Sequence, residues 1–218
     1  MSSPLIIHPQ GTVATLPPRL FGSVAYYALL ARFPAVYIDY NMRYDKRAKQ
    51  THRFAICGNN GPLNLTVPVS RPKGAFLQGN LRWSDILVSA HGEWWDTIYT
   101  ALCSAYGRTP FFEFYIDRLR PAFVPRPLAD IEKLTELSRF ADTAVRSILG
   151  LETINAEAPG TEEFDYRQTD IDALYPPRPY WQVRGDSMGF TAGLSILDLI
   201  FNLGPEAPVY LHNLKNKK

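Results

Sequence analysis

The chain has 218 residues, of which 46% are hydrophobic and 20% charged, and its formal net charge is +2. Such a small charge excludes a strong overall attraction to nucleic acid or to an acidic membrane surface. Two cysteines are too few for a disulfide framework, and no apolar run reaches the ~20 residues of a membrane span. The amino terminus lacks the basic region and long apolar run of a signal peptide. We therefore expect residues 1–218 to form one cytoplasmic domain that has no nucleic-acid partner and no membrane span.

The first elements alternate between strand and helix. Apolar spacing and β-branched content predict a strand at Pro4–Pro9, a turn-rich loop over 11–18, a helix at Arg19–Arg32 and a strand at Ala35–Asp39. This order begins an α/β layer, so the predicted fold is α/β (or α+β), with a mixed sheet flanked by helices. His8 and Asp39 would end strands, which is where open α/β sheets bind ligands.

A basic segment precedes a predicted β-hairpin. Residues 41–53 contain five Lys or Arg residues and few apolar ones. Strands at Phe54–Cys57 and Leu63–Val69 flank the sequence Gly-Asn-Asn-Gly, in which Asn-Gly signals a tight turn. The basic segment is either a solvated face or a cradle for phosphate or carboxylate, which Lys and Arg neutralise. No Walker loop is present, and no G-x-G-x-x-G follows the first strand.

The rest of the chain is predicted to be mostly helical. The predicted elements are a short strand over 83–89, helices over 92–106, 110–120 and 128–151, an ordered loop over 153–179, a helix over 194–203 and an edge strand at Val209–His212.

The helix over 194–203 is apolar almost all round, but Ser195, Asp198 and Asn202 interrupt it on one face. A buried carboxylate is costly unless it is hydrogen-bonded or paired. One interpretation is that Ser195 caps the helix, Asn202 helps to end it and Asp198 bonds to a nearby loop. The other is that Asp198 and Asn202 line a ligand pocket.

Familiar catalytic and metal-binding motifs are missing from the sequence. There is no H-E-x-x-H, C-x-x-C or G-x-S-x-G motif, and the four histidines are scattered. We therefore predict no metal site and can name no cofactor. Cys57 and Cys103 are predicted to be reduced thiols of the core.

Six blocks in the sequence resemble a known family. They are Lys49-Gln50-Thr51 with Arg53, Asn60-Gly61-Pro62 with Leu65–Val69, Ser104–Phe112 with Tyr115, Asp165-Tyr166-Arg167, Tyr180–Val183 with Gly189-Phe190, and Leu194–Asn202 with Gly204-Pro205-Glu206. In order and approximate spacing they resemble the WbqC-like protein family, particularly its shorter Bacteroidetes-type members. Two positions depart from the pattern: Ile98 stands where relatives often have His, and Thr51-His52-Arg53 stands where Arg-Asn-Arg is common.

The resemblance implies a role in making O-antigen or other bacterial surface polysaccharides. It suggests a cytoplasmic step on a nucleotide-linked sugar, such as transfer of an acyl or aminoacyl group to an amino sugar. The implied partners are a small-molecule nucleotide-sugar and an acyl donor. Because of the departures at Ile98 and at residues 51–53, a non-catalytic sugar- or anion-binding accessory protein is an alternative. The early strand and helix order leaves a small nucleotidyl-transfer enzyme as a third.

Candidate site residues follow from the chemistry of their side chains. Lys49 and Arg53 are predicted to hold a phosphate or carboxylate. Asp198 is the predicted general base, because a partly buried carboxylate has a raised pKa suited to deprotonating an amine. The other predicted substrate-binding residues are Gln50, Asn60, Tyr106, Gln182 and Asn202.

Overall fold

Short strands and helices alternate along the chain. The structure is a computed structural model that describes residue 9 and residues 11–72, 80–124 and 132–216. The strands in these ranges are β1 (Val13–Leu16), β2 (Ala35–Ile38), β3 (Arg53–Gly58), β4 (Gly61–Thr66), β5 (Val69–Ser70), β6 (Leu87–Val88) and β7 (Ile154–Asn155). The α-helices are α1 (Val24–Leu30), α2 (Trp94–Tyr106), α3 (Phe112–Leu119), α4 (Leu134–Leu149), α5 (Ile171–Leu174), α6 (Gly185–Met188), α7 (Ile196–Leu203) and α8 (Ala207–Asn213).

Three small sheets replace the single mixed sheet expected from the sequence. Strands β1, β2 and β7 form a parallel sheet in the order β1-β2-β7, in which Val13 pairs with Ala35. Strands β3 and β4 form an antiparallel hairpin, and β5 pairs with β6 in a second antiparallel sheet. The α/β class is therefore confirmed, but parallel and antiparallel strands belong to separate sheets.

The core is built around two buried helices. All seven residues of α1 are buried, and Ser23 caps this helix by accepting a hydrogen bond from the Tyr26 amide at 3.2 Å. Helix α7 is buried from Ile196 to Asn202 and packs against α1, α2, α3 and α4. One large apolar cluster includes both helices, and a smaller cluster forms around Trp83, Ile86 and Leu134. The two helices thus fix the loops that precede them.

Several predicted elements are confirmed. Strand β2, the hairpin β3–β4 and helices α2, α3 and α7 lie where the sequence predicts them. The ordered loop over 153–179 is also confirmed, and it contains β7 and α5.

Other predicted elements are wrong. The loop over 11–18 contains β1, whose sequence Val-Ala-Thr-Leu forms the first strand of the parallel sheet. The predicted helix from Arg19 starts only at Val24, because Phe21 has a φ of 44° that helical backbone does not allow. The edge strand predicted at Val209–His212 is part of α8, which has Pro208 in its first turn, where no amide hydrogen bond is lost.

Two further boundaries also differ. The predicted strand over 83–89 is a 3-10 turn at Trp83–Asp85 followed by β6. The described part of the helix predicted over 128–151 is α4 alone. Residues 125–131 and the predicted strand over 4–8, with His8, lie outside the described residues.

Candidate functional site

A polar cleft lies at the carboxyl edge of the parallel sheet. The Asp39 amide donates to the Leu16 carbonyl at 3.0 Å, so the ends of β1 and β2 are side by side. The loops that leave these ends line an open cleft of ≈ 880 Å³. Its charged residues are four guanidinium groups and four carboxylates: Arg19, Arg43, Arg82, Arg167, Asp39, Asp45, Glu162 and Asp165. The prediction that Asp39 lies at a ligand-binding edge agrees with this geometry, since open α/β sheets bind ligands at this end.

Arg167 forms ion pairs with two carboxylates that line the polar cleft. Its Nη1 lies 2.7 Å from Asp39 Oδ2, and its Nη2 lies 2.6 Å from Asp165 Oδ2. Hydrogen bonds from Arg167 lower the pKa of Asp165, and these two carboxylates raise the pKa of Arg167. Charge-assisted bonds of this kind have well-defined geometry. The two ion pairs of Arg167 therefore connect Asp39, at the end of β2, to Asp165, which lies beside β1.

A second, basic cavity adjoins the polar cleft. Its volume is ≈ 320 Å³, and Arg19 and Gln50 line both spaces. Lys49 and Arg53 also line the basic cavity, so three predicted substrate-binding residues converge there. The charged residues of its wall are three cations (Arg19, Lys49 and Arg53) and one carboxylate (Asp172), which leaves a net charge of +2. An anion is the ligand that this wall favours.

Two of these cations are available to an anion. Arg19 Nη1 lies 3.0 Å from Asp172 Oδ2, whereas neither Lys49 nor Arg53 forms an ion pair with a carboxylate of the described residues. Arg53 Nε donates to Thr66 Oγ1 at 2.9 Å, which directs the guanidinium without neutralising it. The pKa of the buried His52 falls to about 4, mainly through burial and further through the charges of Lys49 and Arg53.

A strained loop positions Arg19 between the two spaces. Phe21 is the non-glycine residue with positive φ among the described residues, and its ring packs against Phe54 and Phe123. Its carbonyl accepts a hydrogen bond from Ser195 Oγ at 2.9 Å. Positive φ costs a non-glycine residue about 1–2 kcal/mol. The packing around Phe21 offsets this cost and holds the loop from Arg19 to Ser23 against the cavity.

The predicted base, Asp198, is at the centre of a closed hydrogen-bond network. Its Oδ1 accepts from Tyr106 Oη at 2.9 Å. Its Oδ2 accepts from Tyr180 Oη at 2.6 Å and from Gln182 Nε2 at 2.8 Å. Asp198 itself is 0% exposed. Burial raises the pKa of Asp198, and the three donors oppose that shift.

The neighbours of Asp198 are saturated as well. Tyr106 Oη accepts from the Cys57 amide at 3.0 Å, which links α2 to β3. Gln182 exchanges two hydrogen bonds with the backbone of Thr191. Asn202 accepts from the Val183 amide at 3.0 Å and donates to the Asp198 carbonyl at 2.7 Å. Of the two interpretations of this helix face, the structure shows the one in which neighbours satisfy the polar groups.

Four predicted site residues therefore form a group that is separate from the cavities. Tyr106, Gln182, Asp198 and Asn202 converge with one another, but none of them lines the polar cleft or the basic cavity. The prediction that Asp198 and Asn202 line a ligand pocket is not supported by this geometry.

Asn60 lies apart from both groups. It is exposed at the turn of the hairpin, between β3 and β4. Arg53 begins β3, and the seven residue-to-residue steps from Arg53 to Asn60 span about 23 Å at the rise of an extended strand. The structure therefore does not bring Asn60 to the cavity that Lys49, Gln50 and Arg53 line.

A known protein family matches most of the chain. The WbqC-like protein family matches residues 18–174. The chain belongs to the WbqC-like protein family. No curated protein and no solved structure matches it. The WbqC-like segment contains Arg19, Lys49, Arg53, Arg167 and Asp172, and thus all the charged residues of both spaces. The block Tyr180–Glu206, which supplies most of the Asp198 network, lies beyond the matched segment.

The positions that depart from the family pattern are both buried in this WbqC-like chain. Ile98 is in the apolar core. Thr51 and His52 have little exposed surface, Thr51 lines the polar cleft, and Thr51 Oγ1 lies 3.1 Å from His52 Nδ1. Ile98 therefore has a packing role here, and His52 lies close to the basic cavity without lining it.

Sequence reasoning missed three residues that the WbqC-like structure brings to the cavities. Arg19 was assigned to a helix, although it follows two prolines that end β1. Asp172 was counted only as part of an acidic loop. Arg167 stands in the block Asp165-Tyr166-Arg167, which resembles the family, and that block was the available signal. Pairing across more than 100 residues, as between Arg167 and Asp39, leaves no local pattern.

The described ranges contain neither a metal-binding cluster nor a membrane-spanning helix. No three His, Cys, Asp or Glu side chains there are grouped so that they could bind a metal ion. Within the same ranges, every helix is too short or too polar to cross a membrane.

Proposed function

We propose that this protein is a transferase of bacterial surface-polysaccharide biosynthesis, and that the polar cleft and the basic cavity together bind a nucleotide-linked sugar. The proposed reaction transfers an acyl or aminoacyl group to an amino sugar in the cytoplasm, as the family resemblance implies. Lys49 and Arg53 would bind phosphate, and Gln50 would bind a sugar hydroxyl or amide. Such a ligand combines an anionic diphosphate with a hydroxyl-rich sugar that has no negative charge. The basic cavity suits the diphosphate, and the polar cleft, whose charges balance, suits the sugar.

The observation that carries the proposal is that the polar cleft and the basic cavity have lining residues in common. Arg19 and Gln50 line both spaces, so a single ligand can extend from one into the other. The basic cavity has a net charge of +2, whereas the charges of the polar cleft balance. Both volumes lie within the range of about 300–1,000 Å³ that is usual for ligand sites.

The proposed transfer needs a base. The amine nitrogen of the sugar forms a bond to the acyl carbon, and the bond from that carbon to its carrier breaks. The carrier takes the electron pair, and the base takes a proton from the nitrogen. Asp198 stays the proposed base from sequence; the alternative is a carboxylate that borders the ligand space and is not ion-paired with Arg167, such as Asp45 or Glu162.

A non-catalytic sugar- or anion-binding accessory protein is the second candidate. It is favoured by the satisfied network around Asp198, which leaves the predicted base without an open path to either space. Under this alternative the same two spaces bind the same class of ligand, but no bond is made or broken.

The test combines binding with product analysis. A panel of UDP-, GDP- and dTDP-linked amino sugars is screened by thermal shift, because a ligand that binds the folded state raises its melting temperature. Each ligand that binds is then incubated with acetyl-coenzyme A or an aminoacyl donor, and the products are analysed by mass spectrometry. An acylated sugar that forms with the wild type and not with Arg53→Gln supports the transferase. Stabilisation without product for any donor supports the accessory protein, and no stabilisation by any of the ligands contradicts both.

A further inference from the structure

Asp172 is the single carboxylate in the wall of the basic cavity. It lies on α5, a single helical turn that the buried Ile171 anchors in the core. The side chain of Asp170 caps this turn by accepting from the Ala173 amide at 3.1 Å. The position of Asp172 is therefore fixed by the fold and does not depend on its ion pair with Arg19.

The Asp172 carboxylate is only half satisfied. Its Oδ2 accepts from Arg19 Nη1 at 3.0 Å. Its Oδ1 is a buried atom that has no hydrogen-bond partner in the described part of the chain. A carboxylate oxygen left in this way is costly, although the side chain as a whole is 41% exposed. Because the Asp172 side chain is partly exposed, solvent weakens its ion pair with Arg19, and a phosphate group can compete with it for the guanidinium.

Arg19 contacts Asp172 and also lines both spaces. Its side chain is 11% exposed, and its guanidinium carbon lies 5.5 Å from the centre of the Tyr26 ring. One face is thus fixed by the ring, while one nitrogen contacts Asp172. Because Arg19 lines both spaces, a phosphate bound in the basic cavity would compete with Asp172 for the same guanidinium.

We propose that Arg19, Lys49 and Arg53 form the diphosphate subsite of the ligand, and that Asp172 competes with the diphosphate for Arg19. This inference rests on the proposed function and specifies which part of the ligand binds in which space. Asp172 lowers the affinity of the subsite for anions, so that a diphosphate attached to a sugar, which gains contacts in the polar cleft, is favoured over free diphosphate or inorganic phosphate.

The experiment measures the binding of inorganic pyrophosphate by isothermal titration calorimetry at low salt. The variants are Arg53→Gln and Asp172→Asn. Arg118→Gln and Asp186→Asn are matched controls, because each makes the same change of charge at a residue that lines neither space. Far-UV circular dichroism establishes that each variant is folded. We expect Arg53→Gln to weaken pyrophosphate binding by about tenfold and Asp172→Asn to tighten it severalfold, relative to their controls.

A second measurement locates the anion. The imidazole signals of His52 are titrated by nuclear magnetic resonance with and without pyrophosphate. An anion beside Lys49 and Arg53 neutralises charges that lower the pKa of His52, so that pKa should rise. Equal affinities in Asp172→Asn and Asp186→Asn, or an unchanged His52 titration at saturating pyrophosphate, would overturn the proposal.

The result of the pyrophosphate experiment can be distinguished from the result of the acyl-transfer test. Pyrophosphate binding with these mutational effects, but without acyl transfer to any sugar, supports the subsite and contradicts the transferase. Acyl transfer that Arg53→Gln leaves unchanged supports the transferase and overturns the subsite.

Discussion

Gly204 is a residue at which packing leaves little room for a side chain. It follows α7 with a φ of 52°, and a Cβ there would lie 2.4 Å from Cγ of the Phe111 ring. Gly150 follows α4 with a φ of 62°, and a Cβ there would have no neighbour within 4 Å. The two glycines share a positive φ and differ in their surroundings.

We predict that Gly204→Ala destabilises the fold by about 3 kcal/mol or more, as the sum of backbone strain and overpacking. Gly150→Ala should cost only about 1 kcal/mol, because strain acts alone. Urea denaturation of both variants measures the difference. Equal losses would show that the Phe111 ring moves aside without cost.

The carboxylate of Asp198 contributes to stability through its hydrogen bonds with Tyr106, Tyr180 and Gln182. Asp198→Asn keeps the shape of the side chain but exchanges an acceptor for a donor that faces Tyr180 and Gln182. We predict a loss of about 1–3 kcal/mol in the free energy of unfolding. Asp186→Asn, at an exposed position, should cause almost none.

The same variants also test the proposed base. Retained acyl transfer in folded Asp198→Asn would remove Asp198 from the chemistry. Abolished transfer with wild-type stability would instead support Asp198 as the base.

His52 gives the fold a defined pH dependence. Its pKa in the folded protein is about 4, below the ordinary value of 6.5. As pH falls through about 6.5 the unfolded chain binds a proton that the folded protein does not. The contribution of His52 to stability is thus complete above pH 6.5 and is lost as pH falls toward 4.

We predict that His52→Asn reduces the loss of stability between pH 7 and pH 5, because it removes this titration. Urea denaturation at the two pH values gives the difference for wild type and variant. An identical loss in both proteins would contradict the assignment, as would a His52 titration midpoint near 6.5 by nuclear magnetic resonance.

At the scale of the element, α8 is joined to α1 by one buried arginine. Arg32 is 7% exposed, and it donates to the carbonyls of Ala28, Leu211 and Leu214. Its guanidinium carbon lies 4.4 Å from the centre of the Tyr175 ring. The planar fork of arginine matches this arrangement, whereas the single ammonium of lysine cannot reach all three carbonyls.

We predict that Arg32→Lys lowers stability by about 1–3 kcal/mol and loosens α8 before the rest of the chain. Hydrogen exchange should show faster exchange at the α8 amides than in the wild type, with the β1–β2 amides less affected. Arg118→Lys, at an exposed site on α3, is the control. Unchanged protection of α8 would contradict the docking role of Arg32.

The elements also show what the sequence could predict and why. Strand β2, the hairpin and α2 have strong local signals, namely β-branched runs, an Asn-Gly turn and helical spacing. Strand β1 is only four residues long and was hidden among turn-forming residues. The α8 segment Val209–His212 has strand-forming residues, yet the position of Pro208 and the docking by Arg32 favour a helix. Tertiary contacts decided both cases.

At the scale of the whole molecule, the two groups of site residues could be predicted from the sequence to different degrees. Lys49, Gln50 and Arg53 are close in sequence and line the same cavity, and their binding of a substrate stays a prediction. The charged partners of that cavity, Arg19 and Asp172, are 153 residues apart, and no local pattern joins them. Asp198 was correctly expected to be buried, but burial alone does not distinguish a ligand pocket from a closed network. The single domain over 1–218 stays a prediction.

The central claim is that the polar cleft and the basic cavity form one binding site. The measurement that tests it most directly is a crystal structure of the protein with a nucleotide-linked amino sugar selected by the thermal-shift screen. We predict that the diphosphate lies within hydrogen-bond distance of Arg53 and Arg19, and that the sugar lies beside Asp39 and Gln50. A ligand bound elsewhere, for example in the ≈ 490 Å³ cavity lined by Tyr40 and Arg139, would contradict the account.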